Sequence, residues 1–484
     1  MELHVQLNTH AKLFCLCPNQ YGGEPNEYTC PICLGHPGVL PVVNQQVVKK
    51  AIKIAHAIGA KINESSLFER KSYFYPDLPK AYQITQLNRP ICVGGAFSFF
   101  VGEGEKNYEK TVEIERIQIE EDAGKLVHSE GGGRESYVDL NRAGSPLCEI
   151  VSKPQIHNIA EAVAYFRAWR ELLLYLDVSN ANMQEGNLRC DVNISMRPHG
   201  SSQFGVRAEI KNMNTFKGVE AALNYEVERQ TKLLSSGKKV MQQTMLFDVV
   251  SKKTVPMREK EDAHDYRYFP DPDLVPLRVT KAEIESIANE IGELPKQKNQ
   301  RFRDEFGLSV YDAWLMSNNK TLATYYEEVI SKVIEEQKGK DDLKKIAKKA
   351  CNWISTEVLS AINEKGISIG QFPISASQLG SLISLLDKGI IPGQIAKKVF
   401  SIMLESGGHP EEIVKEKGWA TVSDDAAILK YVDDILTQFP EAVADFRGGS
   451  EKTLGFLIGQ AMKLSKGQID SVKFRELLIK KIRS

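Results

Sequence analysis

Polar and apolar residues alternate from the second position onward. Glu2, His4 and Gln6 fall on one face of a period-two strand and Leu3, Val5 and Leu7 on the other. Further strand-like runs lie near 112–119, 189–196 and 206–211. Between them the period lengthens to that of a helix. Val48, Ala51, Ile52, Ala55 and Ile58 share a helical face that stops at Gly59, and Ile159, Val163, Phe166, Leu173 and Leu176 mark a longer amphipathic helix. A third helix is predicted from about Thr215, whose hydroxyl can cap it, to Gly237. Interspersed strands and helices predict an α+β fold class built on a mixed sheet. After about residue 290 the pattern changes: Leu294-Pro295 opens a stretch rich in Lys, Glu, Leu and Ile with no convincing strand. Within it, Ser406-Gly407-Gly408-His409-Pro410 interrupts any continuous helix. The expected division is an α+β domain over 1–290, an all-helical domain over 291–405 and a small helical C-terminal domain over 406–484.

Length and composition fit this division. The 484 residues exceed one ordinary domain, and 42% hydrophobic with 26% charged residues excludes a largely disordered or fibrous chain. A formal net charge of -1 leaves no global basic field, so any nucleic-acid contact must come from a local patch. No signal-like segment follows Met1 and no stretch has the apolar length of a membrane span, which predicts a cytoplasmic protein with no membrane partner. In a reducing cytosol the eight cysteines are not expected to form disulfides, and Cys92, Cys148, Cys190 and Cys351 read as small buried apolar residues.

The other four cysteines are clustered. Cys15-x-Cys17 and Cys30-x2-Cys33 form two short-spaced pairs joined by a loop containing Gly22, Gly23, Pro25 and Asn26, the form of a closed four-thiolate zinc site that would be structural and not catalytic. The plain alternative is four unliganded core thiols. Glu2 and His4, two residues apart on one pleated face, can converge on one ion, or can simply be the solvent side of an edge strand. Glu121 is in phase with Ile117 and Ile119, and Glu149 is set among apolar residues, so both carboxylates are costly unless paired or metal-bound. Carboxylates with one histidine suit Mg²⁺, which keeps waters and nucleotide phosphates in its shell. The chain has no Gly-x4-Gly-Lys-Ser/Thr loop, no Gly-x-Gly-x2-Gly after a strand and no Gly-x-Ser-x-Gly elbow, and Gly131-Gly132-Gly133 reads as a loop. A standard nucleotide fold and a hydrolase that releases ammonia are therefore not expected within this chain.

Five segments carry a family resemblance: Glu2-Leu3-His4-Val5-Gln6-Leu7, Tyr73-Phe74-Tyr75-Pro76-Asp77-Leu78-Pro79-Lys80, Glu120-Glu121-Asp122-Ala123-Gly124-Lys125, Leu188-Arg189-Cys190-Asp191-Val192-Asn193 and His264-Asp265-Tyr266-Arg267-Tyr268-Phe269-Pro270. They resemble the B-subunit family of tRNA-dependent amidotransferases, and the likeness extends through Ile395–Phe400 to Gly455–Gln460. The resemblance implies a cradle domain that binds the tRNA acceptor end, a helical domain and a tail that contacts the tRNA body. It implies ATP-dependent phosphorylation of the side-chain carboxylate of Glu-tRNA(Gln) or Asp-tRNA(Asn), followed by amidation with ammonia. The implied partners are the glutaminase, or A, subunit and the small C subunit of such an amidotransferase. It places Mg²⁺ at Glu2, His4, Glu121 and Glu149 and zinc at the four clustered cysteines. The family strand starts several residues before the glutamate, whereas here Glu2 follows Met1 directly and is expected beside a mobile terminus. Lys153 and Gln155 stand where Glu and Asp are common in the family.

Phosphoryl transfer needs positive groups around the transferring phosphate. Lys80, Arg142, Arg189, Lys211 and Arg267 lie in or near the matching segments and are the candidates, each with a surface or structural ion pair as its alternative. Tyr73, Tyr75 and Tyr82 are candidates for stacking on the terminal adenosine, or for packing a loop. From Arg447 to Ser484 nine basic residues stand against three acidic ones, a surplus of six, and Lys463 and Lys466 are the candidate contacts to the tRNA body; a solvated basic helical face is the alternative. A non-enzymatic, zinc-containing tRNA-binding scaffold is the rival function.

Overall fold

The computed structural model describes residues 1–102, 107–128, 135–257, 265–337, 342–420, 425–447, 451–465, 469 and 471–483. Gly131-Gly132-Gly133, His264 and Lys466 lie outside these. The chain divides into two compact units, Met1–Pro295 and Lys296–Ser484.

The first unit is built on a ten-stranded sheet among the described residues. Its order runs Lys253–Pro256, Gln243–Asp248, Ala208–Met213, Leu188–Ile194, Glu2–Gln6, Pro146–Ser152, Tyr108–Glu121, Cys92–Val93 and Lys61–Ile62, with Ala96–Val101 also paired to Tyr108–Glu121. One pair, Ala208–Met213 with Gln243–Asp248, is parallel and the others are antiparallel, so the sheet is mixed. The first strand is central, hydrogen-bonded to Pro146–Ser152 on one side and Leu188–Ile194 on the other. This corrects the edge-strand alternative and the expected mobile terminus: Glu2 is paired in register with both Val151 and Asp191, and the Met1 amino group donates to Ser152 Oγ at 2.9 Å.

Leu3, Val5 and Leu7 are fully buried in one core with the inward faces of the helices Gln45–Ala57, Ile159–Tyr175 and Phe216–Ser235. Each such aliphatic side chain contributes about 1.5–3 kcal/mol on leaving water, which locks the strand register and thereby the face on which Glu2, His4 and Gln6 stand. The first two helices match the periodicity and the third matches its expected cap and end. Each starts at a polar cap: Asn44 accepts from Gln46 N, Asn158 from Glu161 N and Thr215 from Gly218 N. A small three-stranded sheet, Phe269–Pro270, Glu69–Ser72 and Tyr82–Thr85, supplies further side chains to the site below.

Both expected domain boundaries shift. The helix Lys281–Ile291, capped by Thr280, belongs to the first unit because Ile291 and Leu294 pack in its core. The second unit is helical throughout its described residues and holds two cores, one running from Phe302 to Val414 and the other from Ile428 to Ile482. Gly407 and Gly408, at φ 73 and 99, do end the helix Gly393–Ser406. The next helix, Pro410–Lys417, nevertheless returns Ile413 and Val414 to the same core, so the break expected at 405/406 is a turn within that core. No helix among the described residues is long and apolar enough to cross a membrane.

Candidate functional site

The polar face of the central strands gathers the chemistry. His4 pairs in register with Glu149 on one neighbour and Arg189 on the other, and Glu149 pairs with Gln118 on Tyr108–Glu121. Period two puts Glu120 on the same face as Gln118. Donor atoms of His4, Glu120 and Glu149 lie within 4.8 Å of one another, with His4 Nε2 3.9 Å from Glu120 Oε1. Gln118 Nε2 donates to Glu149 at 2.8 Å and Thr85 Oγ1 to Glu120 at 3.0 Å, which orients the two carboxylates. Beside them Glu2, Asp191 and Glu209 form a second group within 4.8 Å, held by Asn193 Nδ2 to Glu2 at 3.0 Å and Thr244 Oγ1 to Glu209 at 3.0 Å.

Glu121, expected in the ligand set, is not brought to this face. Its phase with Ile117 and Ile119 sends it to the other side of the strand, where it ion-pairs with Lys80 and accepts from Ile84 N at 2.9 Å. Glu120 takes its place beside His4 and Glu149, and Glu2 stands with Asp191 and Glu209. Lys80, expected near a phosphate, is equally diverted: its Nζ is held by Glu121 and lies 5.2 Å from the Tyr82 ring centroid.

Electrostatics distinguish the members. Burial, then Arg189, pushes His4 down to about 3, so its imidazole is neutral and free to act as a ligand. Burial, then Glu120 and Glu2, pushes Glu149 up to about 8, and Asp191 is raised to about 6, again first by burial. Burial and mutual repulsion raise both carboxyls, and a bound cation would offset that repulsion. Lys71, which sequence reasoning missed, answers part of this charge. Burial pushes its ammonium down, but Glu120, Tyr268 and Glu149 outweigh that and hold its pKa above the usual value; the Tyr266 ring centroid is 4.9 Å from Nζ.

Of the other expected cations, Arg189 donates to Asp122 at 2.7 Å, and its Nε is buried without a partner. Arg142 lies 3.4 Å from the same Asp122 oxygen and donates to the carbonyls of Ala123 and Gly124 at 3.0 and 2.6 Å. Lys211 lies 3.1 Å from Glu209 and 3.7 Å from Asp191, and Arg267 is exposed. Tyr73 packs edge-on against Tyr266 with Lys71 5.8 Å from its ring centroid, Tyr75 is exposed, and Tyr82 lies under Arg70 at 4.2 Å. Lys463 is exposed on the helix Glu451–Leu464. Lys153 and Gln155 are both engaged by Glu113.

The missed residues Glu120 and Asp191 carry a signal in the alternation itself. Glu120 is out of phase with Ile117 and Ile119, and Asp191 is out of phase with Cys190 and Val192. Glu209 and Lys71 were missed as well.

In the loop after the first strand, the sulfurs of Cys15, Cys17, Cys30 and Cys33 all lie within 4.8 Å of one another, with Cys30 and Cys33 3.9 Å apart and no disulfide formed. Zinc–sulfur bonds of about 2.3 Å in a tetrahedron require sulfur separations of roughly 3.8 Å, so the donor set fits that ion. A hydrogen bond from Cys15 leads the effects that pull Cys33 down to about 5. Cys92, Cys148, Cys190 and Cys351 are buried singly, as expected.

Residues 1–285 match the family described as the GatB/GatE catalytic domain, and residues 324–482 match the GatB domain. The B subunit of the aspartyl/glutamyl-tRNA(Asn/Gln) amidotransferase of Geotalea uraniireducens is 46% identical over 484 residues, covering 100% of this chain and 98% of that protein. Its counterparts in Moorella thermoacetica and Brevibacillus brevis are 45% and 44% identical, each over 99% of this chain and over 98% and 97% of their own lengths. With the catalytic-domain match spanning the whole sheet unit up to residue 285 and the likeness running the length of the chain, this protein belongs to the GatB family, the B subunits of aspartyl/glutamyl-tRNA(Asn/Gln) amidotransferases.

Proposed function

We propose that the polar sheet face binds ATP and the acceptor end of a misacylated tRNA and performs the activating half of transamidation. The convergence of His4, Glu120 and Glu149 beside Lys71 and Arg189 carries this reading. The side-chain carboxylate of Glu on tRNA(Gln), or of Asp on tRNA(Asn), attacks the γ-phosphorus of ATP. The bond to the β,γ-bridging oxygen breaks, leaving an acyl phosphate and ADP. Ammonia then adds to the acyl carbon, phosphate departs with the bonding electrons, and loss of a proton leaves the amide. Catalysis of such a transfer is mostly positioning and charge stabilisation. Lys71 and Arg189 supply fixed positive charge, Arg189 being oriented by Asp122. His4, Glu120 and Glu149 are the residues that would hold Mg²⁺, which when bound offsets phosphate charge and orients the nucleotide. The four loop cysteines would hold zinc. The partners in this reading are the glutaminase, which makes the ammonia, and the small C subunit, in the cytoplasm. The test is ADP release by the three-protein complex. Release that requires Glu-tRNA(Gln) or Asp-tRNA(Asn) supports the reading, whereas tRNA binding with no ATP turnover would return it to the scaffold alternative.

The raised pKa of Glu149 makes this reading pH-dependent. A cation can bind only as the proton leaves, so Mg²⁺ affinity is expected to rise about tenfold per unit as pH climbs from 6 toward 8 and to level off above. Titration calorimetry across this range should show the slope, and Glu149→Gln should bind weakly at every pH. A flat wild-type profile would remove Glu149 from the site.

The tail reading also has a test. Because the helix Pro410–Lys417 belongs to the second core, the cut belongs after Ala420. Removing the basic region beyond it is expected to raise the KM for aminoacyl-tRNA about tenfold and to flatten its salt dependence, while glutamine hydrolysis by the partner persists. Some of that basic charge is already answered within the tail, as in the Lys481–Asp433 pair at 2.5 Å, so Lys463 remains the residue to substitute singly. An unchanged salt slope would assign the tail another role.

A further inference from the structure

Lys12 is fully buried, yet among the described residues no carboxylate lies within ion-pair distance of it. Its Nζ donates to the Tyr28 carbonyl at 2.6 Å and lies 3.8 Å from Cys33 Sγ. Its backbone is fixed at the other cysteine pair, since Lys12 N donates to the Cys17 carbonyl at 3.0 Å, and Asn44 Nδ2 donates to the Lys12 carbonyl at 3.2 Å. The residue thus starts at the Cys15–Cys17 turn and reaches under the loop to the Cys30–Cys33 turn. Gly144 closes the space around it: a Cβ there would lie 3.3 Å from Cys33 Cβ and 3.7 Å from Lys12 Cδ.

An ammonium shut away from water needs a compensating negative charge or it is strongly destabilising. One carbonyl is a weak answer to that requirement. A divalent cation held by four thiolates carries a formal charge of about −2, itself costly where it is sheltered from solvent. Each charge is what the other lacks.

We propose that Lys12 is the buried counter-charge of the four-thiolate zinc centre, donating to Cys33 Sγ and raising the affinity of the loop for the metal. It is a positioning residue for that centre, and the proposal rests on the zinc reading given above. Outer partners of metal ligands typically contribute about 10–100-fold in affinity, and that is the size of effect expected here.

The test uses the full chain stripped of metal and titrated with Zn²⁺ against a chromophoric chelator, with Co²⁺ absorption reporting tetrahedral thiolate coordination. Lys12→Gln keeps a hydrogen-bond donor and loses the charge, whereas Lys12→Arg keeps the charge. Zinc affinity lowered about 10–100-fold in Lys12→Gln and largely retained in Lys12→Arg is the expected result. Wild-type affinity in Lys12→Gln would overturn the proposal, as would an equal loss in both variants, which would mean that side-chain fit and not charge is what matters. Lys12→Met provides a second uncharged variant for the same comparison should Lys12→Gln not be recovered folded. A wild-type chain that binds no zinc would defeat the zinc reading itself, an outcome distinct from a zinc-binding wild type with an indifferent Lys12.

Discussion

Glu120→Gln is expected to lower tRNA-dependent ATP hydrolysis by on the order of 10²–10³-fold, whereas the same change one residue later should act on stability. Glu120 stands with His4 and Glu149, so neutralising it removes a negative charge from the group that would hold the cation. Glu121 instead answers the ammonium of Lys80 and the backbone of Ile84 on the opposite side of the strand. The side chains of Glu121 and Lys80 are 3% and 9% exposed, and breaking a buried pair by removing one partner costs about 3–5 kcal/mol. Glu121→Gln should therefore lower the melting temperature markedly while leaving Mg²⁺ affinity near that of the wild type. ADP release, calorimetric Mg²⁺ binding and thermal denaturation of the two variants separate these effects. Full turnover in Glu120→Gln, together with lost Mg²⁺ binding in Glu121→Gln, would put the metal on the other residue.

Purified without chelator, the wild-type chain should carry one zinc, and Cys33→Ser should carry almost none. Of residues 15–33 only Cys33 is buried, while Leu16 is 94% and Tyr21 69% exposed. A loop with so little apolar burial has no core to hold it, so its order must come from hydrogen bonds and from the metal, whose binding free energy is then folding free energy. Loss of the ion should make the segment between the two cysteine pairs a site of proteolytic nicking, cut about tenfold or more faster than in the wild type. The effect should spread to Lys80, because the loop packs directly on it: a Cβ built on Gly35 would collide with Lys80 Cγ. Zinc content by elemental analysis and the rate of limited proteolysis are the readouts. Four thiols that titrate freely in the native wild type, with no zinc found, would contradict the prediction.

Local rules had their greatest reach where one period or one turn was enough. The alternation in Glu2–Leu7, the three capped helices of the first unit, the helical character of the second and the paired cysteines all depend on neighbours within a few residues, and each is present as read. The same alternation separates Glu121 from Glu120, since a residue in phase with Ile119 cannot share a face with Glu120, and the register that sets Gln118 opposite Glu149 decides that Glu120 is the one beside His4. Glu209, between Ala208 and Ile210, carries the same mark, whereas Lys71 in the polar run Glu69–Ser72 has none, because what sets it apart is its closeness to Glu120 and Glu149, far away in the chain.

The amino-acid sequence by itself determined the central strands at 2–7, 112–119, 189–196 and 206–211, the helices that cover them, the helical character beyond residue 290 and the set of thiols that can close on one ion, since all of these follow from backbone geometry and spacing. Only the tertiary structure decided strand order and register. Burial of Leu3, Val5 and Leu7 places the first strand at the centre of the sheet, and that position sets His4 opposite both Glu149 and Arg189. Pairings across more than a hundred residues are selected by the packing of the whole core, which no local pattern encodes, and so the site's membership emerged only when the sheet was assembled.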